Sequence, residues 1–178
     1  MALIKPQDYL ILGILKGVKK EKVCDICTKL ETMKINLKNG IDKLIFGMKQ
    51  KDVEAVYGKP DRNYKDEDEN VIFVYNKFKM RLTFYKEEDF KMGYIVASAA
   101  DLELFGNKVI GRNIKDVKKD LAQKGITKFT QEEFDTFENY FDEDHWLLFQ
   151  TEFNEVVKVE VGAIINDKDE FDWKFGKK

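Results

Sequence analysis

The feature that most constrains this chain is a weak internal match between two segments that lie 64 residues apart. Lys51-Asp52-Val53 aligns with Lys115-Asp116-Val117, and later positions keep apolar character rather than identity. Two copies of one supersecondary unit, each burying the same face, would produce such a pattern. The aligned pairs include Gly47 with Gly111, Phe73 with Phe137, Leu82 with Trp146, Phe84 with Leu148, Ile95 with Val159 and Ala97 with Val161.

Each copy begins with a predicted helix. In the first, Val53, Val56 and Tyr57 form an apolar face that ends at Gly58-Lys59-Pro60. In the second, an imperfect capping box starts at Asn113 and Gly125 ends the helix. Acidic linkers follow, and then segments with period-two alternation predict three strands per copy: Val71 to Tyr75, Phe78 to Tyr85, Met92 to Ser98, Phe137 to Phe141, Trp146 to Phe153 and Val156 to Ile165.

This order predicts an α+β fold. Two tandem helix plus three-strand antiparallel units would form one sheet with the helices on one face. Unit 1 covers residues 33–100, and unit 2 with a C-terminal tail covers 101–178. Residues 1–32 lie outside the repeat and place apolar residues at helical spacing, which predicts an N-terminal helical extension.

Composition limits the class of protein. The 31 Lys and Arg residues nearly balance 33 Asp and Glu residues, so charge gives no indication of a nucleic-acid partner. The apolar run Tyr9 to Leu15 is far shorter than the roughly 20 residues that span a bilayer, and no signal-peptide cleavage site follows it. We therefore expect a cytoplasmic protein without a membrane partner.

No residue pattern predicts catalysis, a metal or a cofactor. Cys24 and Cys27 have the spacing of half a zinc knuckle or a redox dithiol, and also that of two ordinary thiols on an amphipathic helix. The one histidine, His145, is far away in sequence. His145 with Asp142, or Ser98 as a nucleophile, would be needed for acid–base or covalent chemistry, and nothing in the sequence brings them together. We expect a protein that is not an enzyme.

Acidic stretches and large aromatic side chains are the candidate partner-binding residues. Acidic loops can steer a basic partner, although solvated linkers between helix and sheet are the simpler interpretation of these stretches. The chain also carries more aromatic ring area than one face of a short sheet hides, unless a terminal segment covers the other face. The predicted partner-binding residues are Asp66, Glu67, Asp68, Glu69, Glu132, Glu133, Asp135, Asp142, Glu143, Asp144, Trp146 and Trp173.

The stretch Phe46-Gly47-Met48, followed by Lys51 to Asp61 and an aromatic strand meander, resembles the beta-lactamase-inhibitor-protein-like fold. Small outer-membrane lipoproteins that assist barrel assembly share that unit. The resemblance implies a non-enzymatic protein-binding module, most concretely a bacterial immunity-type protein that sequesters a toxin. The alternatives are a structural or assembly scaffold and a small-molecule-binding protein. The sequence does not predict the oligomeric state.

Overall fold

An eight-stranded antiparallel sheet dominates the computed structural model, which describes residues 32–177. The predicted helical extension, apart from residue 32, lies outside the described residues, and so do Cys24 and Cys27. In chain order the elements are β1 Lys34–Asn36, β2 Gly40–Ile41, β3 Leu44–Ile45, α1 Gln50–Tyr57, β4 Arg62–Lys65, β5 Val71–Tyr75, β6 Met80–Tyr85, β7 Lys91–Ala97, β8 Glu103–Leu104, β9 Asn107–Lys108, α2 Ile114–Ala122, β10 Thr130–Glu133, β11 Glu138–Asp142, β12 Leu147–Glu152 and β13 Glu155–Gly162.

The strand order of the large sheet is β10-β11-β12-β13-β7-β6-β5-β4. Its two meanders meet where β7 pairs with β13, with Ile95 opposite Val161 and Ala97 opposite Val159. All four of these side chains are buried on one face of the sheet. We call this pairing the β7–β13 seam, and the opposite face of the sheet the outer face.

Both short helices occur where the sequence predicts them, although their buried faces are narrow. In α2 the Asn113 side chain accepts a hydrogen bond from the Lys115 amide, and Ile114, Val117 and Leu121 are buried. In α1 the Asp52 carboxylate accepts from the Lys49 amide, and only Val53 is fully buried. Val56, which we predicted on the buried face, is 42% exposed. Gly58 adopts a positive φ of 77° directly after α1, as a terminating glycine should.

A second, five-stranded sheet has the order β3-β2-β1-β8-β9 and supplies the other wall of the core. Its strands are short, and β1 pairs in parallel with β8. Ile35, Ile41 and Leu44 from this sheet belong to the same hydrophobic cluster as Leu82 and Phe84 of the large sheet. One continuous core therefore joins the two sheets and the helices.

The predicted fold class is wrong. The described chain is mostly β, with two α-helices and two sheets, rather than two tandem helix plus three-strand units in a single sheet. The segments predicted as acidic linkers contain β4 and β10, which are the edge strands of the large sheet. Every residue of those two strands is exposed, so they carry no alternation of apolar and polar side chains that would reveal a strand.

The Phe84 side chain tests the core directly, because it is 0% exposed and its ring lies 4.8 Å from that of Phe73. We expect F84A to lower the free energy of unfolding by about 3–5 kcal/mol, since it removes a packed ring and leaves a cavity. Chemical denaturation measures this loss. The matched control is F153A, because Phe153 is 96% exposed. That variant should stay within about 0.5 kcal/mol of the parent. Equal losses in the two variants would contradict the assignment of the core.

Candidate functional site

A cleft of about 500 Å³ opens at the end of the large sheet where β4 turns into β5 and β6 turns toward β7. It combines carboxylate groups with aromatic ring faces. We call it the acidic–aromatic cleft, and its lining residues are Asp68, Asn70, Tyr85, Glu87, Glu88 and Phe171.

The β4–β5 hairpin tip is held in a fixed shape by Asp66. Its carboxylate accepts hydrogen bonds from the Asp68 amide at 3.1 Å and from the Asn70 amide at 2.9 Å. The Asn70 side-chain carbonyl in turn accepts from the Lys86 amide at 3.0 Å, which ties the hairpin to the β6–β7 turn. Asp66 therefore positions the tip, while the Asp68 carboxylate remains at the cleft.

Glu69 is not a free carboxylate. The Lys86 ammonium donates to it, and Lys65 lies 3.7 Å away. The hydrogen bond from Lys86 and the positive charges of both lysines lower the pKa of Glu69. By contrast, Asp68 and Glu87 have no ion pair with any residue that the structure describes. Glu88 has no ion pair either, but its carboxylate accepts the Trp173 indole N–H, so Asp68 and Glu87 are the carboxylates of the cleft without a described side-chain partner.

The C-terminal tail supplies the aromatic wall. After β13 the chain turns back on itself, and the Asp172 amide donates to the Ile164 carbonyl at 2.8 Å. The Phe171 ring stacks between Tyr85, at 5.5 Å, and Trp173, at 4.7 Å. The Trp173 indole N–H donates to the Glu88 carboxylate at 3.2 Å, so the stack is anchored at the cleft.

Gly93 lets this aromatic stack lie close to the sheet. A Cβ atom at position 93 would come within 2.3 Å of the Tyr85 ring and 3.2 Å of the Trp173 ring. Only glycine leaves that space. Burial of Tyr85, together with the Asp66 charge, raises the pKa of its phenol, so the ring at the cleft stays neutral to higher pH than a free tyrosine.

The cleft has the chemistry of a cation site. Carboxylates attract a lysine ammonium or an arginine guanidinium, and the faces of aromatic rings add a second attraction for the same groups. The fold already shows this preference, because the Lys91 ammonium lies 5.3 Å from the centre of the Trp173 ring. A basic side chain from outside would meet the same kind of surface.

The remaining predicted residues lie elsewhere. Asp142 is 2% exposed and accepts from the His145 amide at 2.8 Å and its Nδ1 at 2.7 Å, so it holds the β11–β12 turn. Glu143 and Asp144 are exposed in that turn. The turn is at the same end of the sheet as the cleft, but four strand spacings of about 4.8 Å separate it from β5. His145 and Asp142 are in hydrogen-bond contact, as acid–base chemistry would require. Ser98 lies in a different cleft from this pair.

Trp146 is half-buried on the outer face. Its ring covers Gly162 and makes edge contacts with Tyr94 at 5.5 Å and Phe141 at 5.3 Å. Trp146 is not part of the aromatic stack that contains Trp173.

Glu132 and Glu133 lie on β10, and Asp135 lies in the loop after it. All three are at the sheet edge opposite β4. The structure thus keeps Asp66, Glu67, Asp68 and Glu69 together on the β4–β5 hairpin, beside the stack that contains Trp173, and separates the other predicted residues from them.

Tyr85 belongs to the aromatic side chains that the sequence gives in excess of one sheet face, whereas no sequence pattern indicates Glu87, Glu88 or Phe171. Gly93 within a strand was the available indication, because such a glycine marks a close approach by another group. Within the described residues 32–177, no cluster of three His, Cys, Asp or Glu side chains could hold a metal ion. In that same range no helix has both the length and the apolar character needed to cross a membrane.

Neither protein-family models nor curated proteins match this chain. Solved structures give distant likenesses. An extracellular protein containing an SCP domain, from Bacillus anthracis str. Ames, is 14% identical over 85% of this chain and 50% of its own, with a TM-score of 0.43. A cysteine-rich secretory protein from Staphylococcus aureus subsp. aureus Mu50 is 16% identical over 66% of this chain and 42% of its own, with a TM-score of 0.42.

A DUF4309 family protein from Bacillus subtilis subsp. subtilis str. 168 is 14% identical over 65% of this chain and 78% of its own, with a TM-score of 0.37. The chain spans half or less of the first two proteins. At such low TM-scores these likenesses carry no argument about activity or partners.

The comparisons correct two expectations. None of these three structures is a beta-lactamase-inhibitor-protein-like protein or an outer-membrane lipoprotein, so the family resemblance drawn from Lys51 to Asp61 is wrong. The immunity-type role was implied by that resemblance alone and is withdrawn with it. The expected cytoplasmic location is not retained: the first two structures are of proteins described as extracellular or secretory. We assign no location in its place.

Replacing Gly93 by alanine tests the aromatic wall. The new methyl group would overlap the Tyr85 ring, so G93A should push the stack off the sheet and lower the free energy of unfolding by about 1–3 kcal/mol. In a W146F background Trp173 is the one tryptophan, and its fluorescence should shift to longer wavelength in G93A. Unchanged emission would show that the tail does not depend on this close contact.

The environment of Tyr94 leads us to expect that the free energy of unfolding falls at alkaline pH. Burial and a hydrogen bond to the Glu160 carboxylate raise the pKa of its phenol. The unfolded chain then ionises first, near its ordinary pKa of about 10, so stability is full below that pH and falls as pH rises above it. Y94F should reduce the slope of unfolding free energy against pH in this range. Burial raises the pKa values of Tyr75 and Tyr140 to about 12, which leaves a residual slope. An unchanged slope in Y94F would contradict the assignment.

Proposed function

We propose that this chain is a non-enzymatic protein-binding module that captures a basic segment of another protein in its acidic–aromatic cleft. The observation that carries the proposal is the stack of Tyr85, Phe171 and Trp173 beside the unpaired carboxylates of Asp68 and Glu87. A lysine or arginine side chain is the ligand that satisfies both features at once.

The electrostatics of the surrounding loops support a basic partner. The hairpin tip and the β6–β7 turn together hold seven acids over residues 66–69 and 87–89, while the tail adds Asp167, Asp169, Glu170 and Asp172. Lysines neutralise part of this charge at Glu69, Asp89 and Asp172. The remaining negative potential would speed the encounter with a positively charged surface and would weaken as salt rises.

The preorganisation of the cleft supports binding rather than mere solvation. Asp66 fixes the hairpin, Asn70 ties it to the next turn, and Trp173 is hydrogen bonded to Glu88. A site whose side chains are already ordered loses less conformational entropy when a ligand enters. A solvated acidic linker would need none of these bonds.

The test compares partner capture by the parent and by D68N/E87Q. This double variant removes two charges at the cleft and keeps the side-chain shapes. E152Q/E155Q is the matched control, because those two acids are exposed at the β12–β13 turn and make no described ion pair. Proteins captured from the source cells are quantified by mass spectrometry, and the enriched protein is then purified for binding kinetics at two salt concentrations.

We expect D68N/E87Q to bind the partner at least tenfold more weakly, which corresponds to about 1.4 kcal/mol. Slower association and a smaller dependence on salt should account for part of that loss, since charges at the rim of a site act on the encounter. F171A should instead raise the dissociation rate, because it removes an aromatic contact. Equal capture by the parent, the cleft variant and the control would refute binding at this cleft.

A further inference from the structure

The two edges of the large sheet carry opposite charge. β4, Arg62–Lys65, ends the sheet on one side with Arg62 and Lys65, and β10, Thr130–Glu133, ends it on the other with Glu132 and Glu133. All residues of both strands are exposed, and each strand has a sheet partner on one side only within the described residues. Each edge therefore presents backbone donors and acceptors that can pair with another strand.

The geometry of the sheet matches the two edges to each other. Every neighbouring pair in the eight-stranded sheet is antiparallel, so β4 and β10 run in opposite directions. A second copy placed beside the first, with β10 against β4, would continue the same alternation without a break.

The faces match as well. A single row of cross-strand partners runs from Arg62 on β4 to Thr130 on β10, which places Arg62 on the same face as Glu132. Because side chains alternate along a strand, Lys65 and Glu133 share the opposite face. In the antiparallel register that sets Arg62 opposite Phe134 and Lys65 opposite Gln131, Arg62 and Glu132 are diagonal neighbours on one face of the sheet. Lys65 and Glu133 are diagonal neighbours on the other face, so a cation and an anion come within reach of each other on each face.

Charge also disfavours the other pairings. Pairing two β4 edges would place positively charged arginine and lysine side chains near one another, and pairing two β10 edges would place glutamates near one another. Like charges on opposed strands destabilise the pairing. Neither Arg62 nor Glu132 has an ion pair inside the described part of the chain. Exposed aromatic side chains accompany both edges, with Tyr64 43% exposed on β4 and Phe134 50% exposed just after β10.

We propose that the chain binds a second copy of itself by pairing β4 of one copy with β10 of the next. The contact is heterologous, so it leaves a free β4 and a free β10 at the ends and extends into chains of molecules rather than closing as a symmetric dimer. With four residues in each strand, the contact is short and its extent depends on protein concentration. This self-association uses the two edge strands and none of the residues that line the acidic–aromatic cleft.

The experiment is sedimentation velocity of the full chain over a range of concentrations at low and high salt, with two charge-reversed variants. R62E/K65E reverses the β4 edge, and E132K/E133K reverses the β10 edge. The matched controls are K115E/K119E on the exposed side of α2 and E152K/E155K at the β12–β13 turn, which change net charge by the same amounts. Circular dichroism verifies that every variant is folded.

We expect the parent and both controls to sediment faster as concentration rises, and less so at high salt. Each edge variant alone should remain monomeric. An equimolar mixture of the two edge variants should associate again, because the reversed β4 then meets the reversed β10 and the two unreversed edges also match. A parent that stays monomeric throughout, an edge variant that associates like the parent, or a mixture that fails to associate would each overturn the proposal.

Discussion

The pairing of β7 with β13 is the contact on which the rest of the structure depends. It joins two four-stranded meanders into one sheet and buries Ile95, Ala97, Val159 and Val161 on the face that packs against the helices. Because the seam lies in the middle of the strand order, it also determines which strands form the two edges of the sheet. β4 and β10 become the edges, and the β4–β5 hairpin, the β6–β7 turn and the C-terminal tail come together at one end. The cleft and the charged edges are therefore consequences of one pairing.

The sequence predicts the strands that bury several side chains. The predicted bounds of β5 match the observed ones, and those of β6, β7, β11, β12 and β13 lie within a few residues of them. β12 alternates buried and half-buried side chains, whereas β5, β6 and β7 also bury neighbouring residues. The sequence predicts linkers where β4 and β10 lie, because neither strand buries a residue. The five-stranded sheet was missed because strands of two or three residues are too short to show a period. The predicted fold class is wrong because these strands were not predicted, whereas both helices lie where the sequence predicts them.

The candidate site was predictable only in part. Asp68 and Trp173 were named from composition, but their association depends on a tail that returns to the sheet and stacks Phe171 on Tyr85, a partner 86 positions earlier in the chain. No local pattern encodes such a contact. The acids at Asp142 and Glu132 look similar in the sequence, yet Asp142 is buried at the end of β11 and Glu132 is exposed on an edge strand. Their different roles follow from where the sheet places them.

Native-state hydrogen exchange tests most directly whether the β7–β13 seam unites the sheet. If it does, the amides of β7 and β13 should exchange slowest and with one common free energy of opening, close to that of global unfolding. The amides of β4 and β10 should exchange much faster, because each edge strand is bonded on one side. If instead the strands before and after the seam open with two separate free energies, and β7 and β13 exchange as fast as the edges, the two meanders are independent. The common sheet that positions both the cleft and the edges would then be contradicted.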